Sequence, residues 1–330
     1  FELRRYDTSM SNASPPLVVI AGPTGVGKTA VAVHLATRIS LGVVSADSRQ
    51  VYRRMDIGTG KPTPTQLRAV RHHLIDVVDP DERYHAARFR DEALSAIEAI
   101  LRQGRLPVVV GGTGLYIRAL LRGLDPAPPA DLELRRALEE WARGRGASAL
   151  HWKLAQVDPE SARRISPKDK VRIIRALEIL HLTGKPLGTP SRWRESQPPW
   201  NLLMVGLTMP RPTLAHALRN RVDAMVAHGL RAEVETLLDA GYGEALSLMK
   251  GIGYRHFAWV IRGRLSEAEA IRLMKRDTLL YAKRQWTWFA REPDLKWIDV
   301  LAAGGPEGAA EAIAKLIELE ELVGGSSGGD

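Results

Sequence analysis

The chain has 330 residues, 45% hydrophobic and 26% charged, enough to bury a large core and ordinary for a soluble globular protein rather than a disordered or fibrous one. It contains no cysteine, which excludes disulfides, thiolate-held zinc and thiol catalysis, and no apolar run reaches the ~18 to 20 residues needed to cross a bilayer. The net charge of +9 hides an asymmetry: residues 292–330 carry two Lys/Arg against nine Asp/Glu, and the preceding 291 carry 45 against 29, a body of +16 that suits a polyanionic partner or a merely solvated basic surface.

The start lacks the pattern of a secretory leader, so a cytoplasmic monomer is expected, with no membrane attachment. Residues 1–16, with Met10 as the expected native start, and the Gly/Ser-rich 324–330 are expected to be flexible ends or expression remnants. Leu17 to Ala21 is a short buried-strand pattern running into Gly22, Pro23, Thr24, Gly25, Val26, Gly27, Lys28 and Thr29. That G-x4-G-K-T spacing between a strand and a helix is a phosphate-binding loop. Its glycines let backbone N–H groups converge on phosphate oxygens, the helix terminus adds a favourable field, Lys28 brings a point charge, and the Thr29 hydroxyl suits Mg2+.

Further short runs at Val43–Ala46, His73–Val78, Pro107–Val110, Leu202–Leu207 and Trp297–Val300 alternate with helical patterns such as 28–39 and 88–103. The alternation predicts an α/β fold, a P-loop doubly wound parallel sheet core over 17–125 and 200–323. Between 126 and 199 the strand signals stop. Pro126, Pro128 and Pro129 open this stretch, and Pro190, Pro198 and Pro199 close it, so it reads as an all-helical insertion domain. Its clearest helix spans Ser166–Leu182, with Ser166 as N-cap, Pro167 at the first position and Gly184 past the end. Later helices are expected at 213–228, 231–240 and 266–290, the last with a Ser266/Glu269 capping box and an inward stripe through Ile271, Met274, Thr278, Tyr281 and Trp288.

Two motifs fall at expected strand ends, where α/β sheets place their sites. In the first, Ser45 to Tyr52, Asp47 suits a metal ligand, a general base or a helix cap. The second, Gly111 to Tyr116, places Thr113 at the same rim, although a strand-to-helix turn explains its glycines equally well. The eight tryptophans, all at 141 or later, are read as packing residues, and His72-His73 as a strand entry without a metal.

In combination, GPTGVGKT (22–29), SADSRQVY (45–52), DIGTGKP (56–62), HHLID (72–76), VVGGTGLY (109–116), RIIRALEIL (172–180), KGIGYR (250–255) and KRQWTWF (283–289) resemble the bacterial tRNA dimethylallyltransferases, or tRNA isopentenyltransferases, over nearly the whole chain. The resemblance implies transfer of a dimethylallyl group from dimethylallyl diphosphate to N6 of the adenosine 3′ of the anticodon of tRNA, with Mg2+ as cofactor. It implies Asp47 as general base, Arg221 facing the diphosphate and Thr113 on the target nucleotide. For the anticodon stem-loop it implies contacts at Asp47, Ser48, Arg49, Gln50, Thr113 and Arg135, along Val171, Arg172, Ile173, Ile174 and Arg175, along Lys250, Gly251, Ile252, Gly253, Tyr254 and Arg255, and at Lys283 and Arg284. On the long helix, Arg272, Arg276 and Lys283 share a further basic face.

Alternatives stay open. A nucleoside kinase would need an arginine-bearing lid, which the sequence does not display. A prenyltransferase acting on free adenylate would not need the basic insertion. A non-catalytic RNA-binding protein would not need Lys28, Thr29 and Asp47 intact.

Overall fold

Parallel pairing of short buried strands organises the larger part of the chain. The computed structural model describes residues 14–124, 128–186, 200–243, 246, 248–320 and 322; most of the expected flexible ends and Pro126, Pro190, Pro198 and Pro199 lie outside them. Strands β1 (Pro16–Ala21), β2 (Leu41–Ala46), β3 (His72–His73), β4 (Leu106–Gly111), β5 (Asn201–Thr208) and β6 (Lys296–Asp299) form one all-parallel sheet in the order β3-β2-β4-β1-β5-β6. β1, β2 and β4 are buried along their whole length, which is why they read as continuous apolar runs.

The helices of this unit are α1 (Lys28–Ala36), α2 (Pro64–Ala69), α3 (Ala86–Leu101) and α4 (Gly114–Arg122), then, after four helices of a second unit, α9 (Arg211–Ala227), α10 (Leu230–Asp239), α11 (Tyr254–Ile261), α12 (Glu267–Phe289) and α13 (Pro306–Leu319). Val18 and Ile20 of β1 pack on the side of α1 and α13; Leu17, Val19 and Ala21 pack on the side of α3 and α4. From β1 the chain winds through α1 to β2, whereas after β4 it returns to β5 on the other side of β1. The winding direction therefore reverses beside β1, and a crevice opens beyond the strands' C-terminal ends there. A third core, not expected from the sequence, gathers Val222, Leu230, Val234, Tyr254, Phe257 and Met274 around Val51, Tyr52 and Met55.

Three local expectations are corrected. The strand expected over His73–Val78 stops at His73, because Leu74 and Asp76 adopt φ of 63° and 56°, left-handed conformations that cannot continue a ladder; Val78 returns as a single bridge to Tyr52. The helix expected from Ser166 starts instead at Lys170. Its cap is Asp169, whose carboxylate accepts the Arg172 N–H at 3.2 Å, while Gly184 at φ 65° ends it as expected. Ser266 does cap α12 by accepting the Glu269 N–H, but the Glu269 side chain pairs with Arg272 at 3.4 Å, so the reciprocal half of the capping box is not made.

The chain divides into two compact units, Phe1–Leu121 with Pro198–Asp330, and Arg122–Gln197. The second consists of α5 (Leu132–Arg143), α6 (Gly146–Val157), α7 (Pro159–Arg164) and α8 (Lys170–Thr183) around Leu138, Leu150, Leu154, Ile165, Ile173, Ile174 and Leu177. Buried among them, besides Asp158 at the start of α7, is the carboxylate of Glu178. It accepts both ends of the Arg135 guanidinium at 2.7 Å, the Asp131 N–H at 2.7 Å, and a bond from Arg175, which also donates to the Pro128 carbonyl at 2.8 Å. Burial pushes its pKa up, but these donors outweigh burial and hold the carboxyl below its ordinary value. Among the described residues of the whole chain, no helix is long and apolar enough to cross a membrane.

Glu178→Ala should destabilise the helical unit by about 2 kcal/mol, less than for a fully buried pair because Arg135 and Arg175 keep about a third of their surface in water. Since the folded pKa is depressed, this contribution is complete above pH 4.5 and is lost as pH falls through the folded value. Hydrogen exchange of the α8 amides in wild type and variant, at neutral and acidic pH, measures both effects.

Candidate active site

The site begins with a register. Ala21 of β1 pairs with Gly111 of β4, and Gly111 pairs with Ala46 of β2, so three strands end on one rung. The next residues are Gly22, Asp47 and Gly112, which places the glycine loop, the acidic motif and the second glycine motif along one rim. Only glycine fits the middle of that rung, since a Cβ on Gly111 would overlap the Ala46 carbonyl.

Between β1 and α1, Gly22, Gly25 and Gly27 take φ of 141°, 78° and 97°. These left-handed values turn the backbone through the loop, and Gly27 starts α1 with no side-chain cap, leaving first-turn N–H groups directed at the crevice. Lys28 donates to the loop carbonyls of Gly22 and Pro23 at 2.9 and 2.8 Å, so its ammonium lies within the cradle it closes. Burial lowers its pKa to about 8; Asp47 opposes the shift and Arg221 reinforces it. Burial likewise lowers the pKa of Arg221, and Asp47 again opposes. Lys28, Asp47 and Arg221 therefore share one electrostatic field, two cations and one anion, whose net positive charge suits a multiply charged phosphate ester.

Asp47 opens a turn rather than capping a helix, since the next helix begins only at Pro64. Its Oδ1 accepts the N–H groups of Arg49 at 2.8 Å and Gln50 at 3.3 Å, which fixes the carboxylate without using Oδ2 in that turn. Ser48 N–H donates to the Thr113 hydroxyl at 3.1 Å, and Thr113 N–H to the Ala46 carbonyl at 3.1 Å, so Thr113 is clamped beside Asp47. The Gln50 side chain is structural, bonding Ser45 and the Gly60 carbonyl. Thr29 lies in the first turn of α1.

Sequence reasoning missed the residues that tie the rim together. Gln285 of α12 accepts the Thr24 N–H at 2.8 Å and donates to the Gly112 carbonyl at 2.9 Å, bridging the two glycine motifs. Tyr281, one turn earlier, hydrogen-bonds Thr113; burial, then the Asp47 charge, raise its pKa to about 12. The readable signal was a polar glutamine on the inward stripe of an amphipathic helix, seven residues after Thr278.

The residues implied as RNA contacts separate into two groups. Arg172, with 65% of its side chain exposed, Val171, Lys250, Lys283 and Arg284 face solvent, and Arg49, Ile252 and Arg255 are half-buried. Ile173 and Ile174 are instead buried in the helical core, and Gly251 and Gly253 are buried too. Arg135 and Arg175 are tied to Glu178, so of the three arginines implied as RNA contacts in this unit only Arg172, beside Asp169, keeps most of its side chain in water. Tyr254 is only 2% exposed and begins α11 rather than extending a loop.

Arg255 and Arg276 both bond Asp277, and with Lys250, His256, Trp259, Met249 and Leu273 they line an open basic recess. Gly253 N–H donates to His256 Nδ1 at 3.2 Å, which leaves Nε2 facing Asp277 at 3.2 Å. Burial, then Arg255, lower the His256 pKa despite Asp277. Trp152, Trp286 and Trp297 are exposed, departing from the packing role expected of the tryptophans. His72 bonds the Val70 carbonyl, and among the described residues no three His, Cys, Asp or Glu gather as a metal cluster.

Residues 50–292 match the IPP transferase family model. The chain is 48% identical to the tRNA dimethylallyltransferase of Desulforudis audaxviator, covering 93% of this chain and 99% of that one, and 47% identical to that of Thermomicrobium roseum, covering 94% of each. Among solved structures it resembles the tRNA isopentenylpyrophosphate transferase of Bacillus halodurans, with TM-score 0.68 and 41% identity over 93% of this chain and 98% of that one. A eukaryotic dimethylallyltransferase acting on tRNA superposes with TM-score 0.76 at 29% identity, covering 94% and 80%.

Gln285→Leu should leave the Thr24 N–H and Gly112 carbonyl without a partner, costing about 1–3 kcal/mol for each group that water cannot reach. Thermal unfolding should fall accordingly, and the affinity for a diphosphate ester should drop with it. Unchanged affinity would show that the bridge does not shape the loop.

Proposed function

The chain belongs to the tRNA dimethylallyltransferase family, and from that premise we propose that it moves a dimethylallyl group from dimethylallyl diphosphate to N6 of the adenosine 3′-adjacent to the anticodon of tRNA. The observation that carries this reading is the shared rung, which sets a phosphate loop, a carboxylate and a clamped hydroxyl at one rim, with two half-buried cations, Lys28 and Arg221, whose charges act on the same carboxylate.

In the step itself, the N6 lone pair forms a bond to C1 of the allyl group as the C1–O bond breaks, and the electron pair leaves with the diphosphate. The N6 proton passes to Asp47. An exocyclic amine is a poor nucleophile, so a fixed base is useful, and the Asp47 turn supplies one whose position does not depend on substrate. Lys28, Arg221 and the loop amides neutralise the charge gathering on the leaving group. Thr113 orients the target nucleotide, with Tyr281 and Ser48 holding its hydroxyl.

The donor set also suits Mg2+, a hard cation that takes one or two protein oxygens and completes its shell with phosphate oxygens and water. The Thr29 hydroxyl, in the first turn of α1, is the group that would hold it, and the ion would supply further charge neutralisation at the diphosphate. For tRNA, exposure supports Arg172 in the helical unit and, in the sheet unit, Lys250, Lys283, Arg284 and the half-buried Arg255 as cations that would bind phosphates.

Incubating tRNA with the protein, Mg2+ and dimethylallyl diphosphate should add a C5H8 mass to one anticodon-loop adenosine; tRNA of unchanged mass would refute the assignment. Asp47→Ala should cut turnover by about 10²–10⁴-fold while tRNA still binds. Turnover at the wild-type rate would remove Asp47 from the base role. Arg172→Glu should weaken tRNA binding and reduce its salt slope by about one, leaving donor affinity intact.

A further inference from the structure

The segment Asp56–Lys61 has no part in the chemistry assigned above, yet it is held with unusual thoroughness. Glu233 of α10 accepts three successive backbone N–H groups, from Asp56 at 2.8 Å, Ile57 at 2.7 Å and Gly58 at 3.1 Å, and also the Tyr254 hydroxyl at 2.6 Å. The Tyr254 ring lies flush against Gly58, where a Cβ would approach it to 2.5 Å. Lys61 ties the far end, donating to the Tyr52 carbonyl at 2.7 Å, to Asp56 at 2.6 Å and to Asp76. Gln50 donates to the Gly60 carbonyl at 3.2 Å, from three residues beyond Asp47.

What this scaffold presents is the bare α-carbon of Gly60, in a left-handed conformation at φ 59°. The Arg221 guanidinium occupies the space that a Cβ there would fill, with Nη2 the nearest atom and the Met225 methyl next to it. A long side chain loses rotamer freedom only when something stiff defines its position. Arg221 comes from the middle of α9, its guanidinium has no hydrogen bond among the described residues, and its charge is felt at both Lys28 and Asp47.

We infer that Gly60, in the segment that Glu233 anchors through Asp56, Ile57 and Gly58, is a positioning residue: the Asp56–Lys61 segment is a platform that aims the Arg221 guanidinium at the diphosphate, and Tyr254 is a strut of that platform rather than a contact to RNA. The inference rests on the reading that Arg221 faces the diphosphate. It explains why a glycine stands at position 60, and why a carboxylate is spent on three amides of an otherwise inert loop.

A double-mutant cycle tests it with dimethylallyl diphosphate and tRNA as the probes. Gly60→Ala should lower kcat/KM for the donor by about ten- to a hundredfold through displaced geometry, with the Kd for tRNA unchanged. In an Arg221→Ala background, the same substitution should add less than about twofold, because there is no guanidinium left to displace. Equal losses in both backgrounds would mean that alanine acts only by backbone strain at a left-handed position, and would overturn the inference. If Gly60→Ala does not fold, Glu233→Gln serves in the same cycle, since its amide turns a donor toward backbone N–H groups. Coupling to Arg221 supports the platform, and simple additivity refutes it. Should Arg221→Ala alone leave donor kcat/KM unchanged, the assignment of Arg221 to the diphosphate falls, and the platform's purpose falls with it.

Discussion

The alignment of Ala21, Ala46 and Gly111 on one rung of a parallel sheet is the constraint from which the rest follows. Parallel strands end on the same side, so whatever follows each strand is delivered to the same edge. Here the edge receives a phosphate-binding loop, an acidic turn and a clamped threonine, contributed by parts of the chain that are 25 to 91 residues apart. Reversal of winding beside β1 keeps the edge open, because no crossover covers it.

Charge is then concentrated where the backbone has made room. Lys28 and Arg221 are both buried enough to depress their pKa values, and Asp47 is the anion that offsets them. Such a site is costly while it stands alone and favourable once an anionic ester enters, since burial strengthens every charge interaction inside it. The helix α12 joins this centre to the periphery: Gln285 touches both glycine motifs, Tyr281 supports Thr113, and Asp277 gathers Arg255 and Arg276. One helix thus carries side chains bonded to the phosphate-binding loop, to Thr113 and within the basic recess.

The helical unit shows how a basic sequence can be misread residue by residue. Arg135, Arg172 and Arg175 look equivalent on a helical wheel and in net charge. In three dimensions Arg135 and Arg175 converge on the buried Glu178, and only Arg172 remains largely in water. A buried carboxylate needs donors more than the surface needs one further cation, so the fold claims two of the three. Tyr254 is a comparable case, drawn from an apparent glycine loop into a bond with Glu233.

The sequence by itself determined the elements and the chemistry that depend on local order. Five of the six strands, the phosphate loop, Asp47, Thr113 and the stripe of α12 were legible, because buried parallel strands, left-handed glycines and amphipathic helices each impose a pattern within a few residues. Left-handed Leu74 and Asp76 were not, since nothing in their identity calls for a positive φ. Only the tertiary structure decided which polar side chains meet: Thr24 with Gln285 across 261 positions, Asp56 with Glu233 across 177, Asp131 with Glu178 across 47. Hydrogen bonds act over about 3 Å whatever the separation along the chain, so their partners are chosen by packing, and no local pattern records that choice.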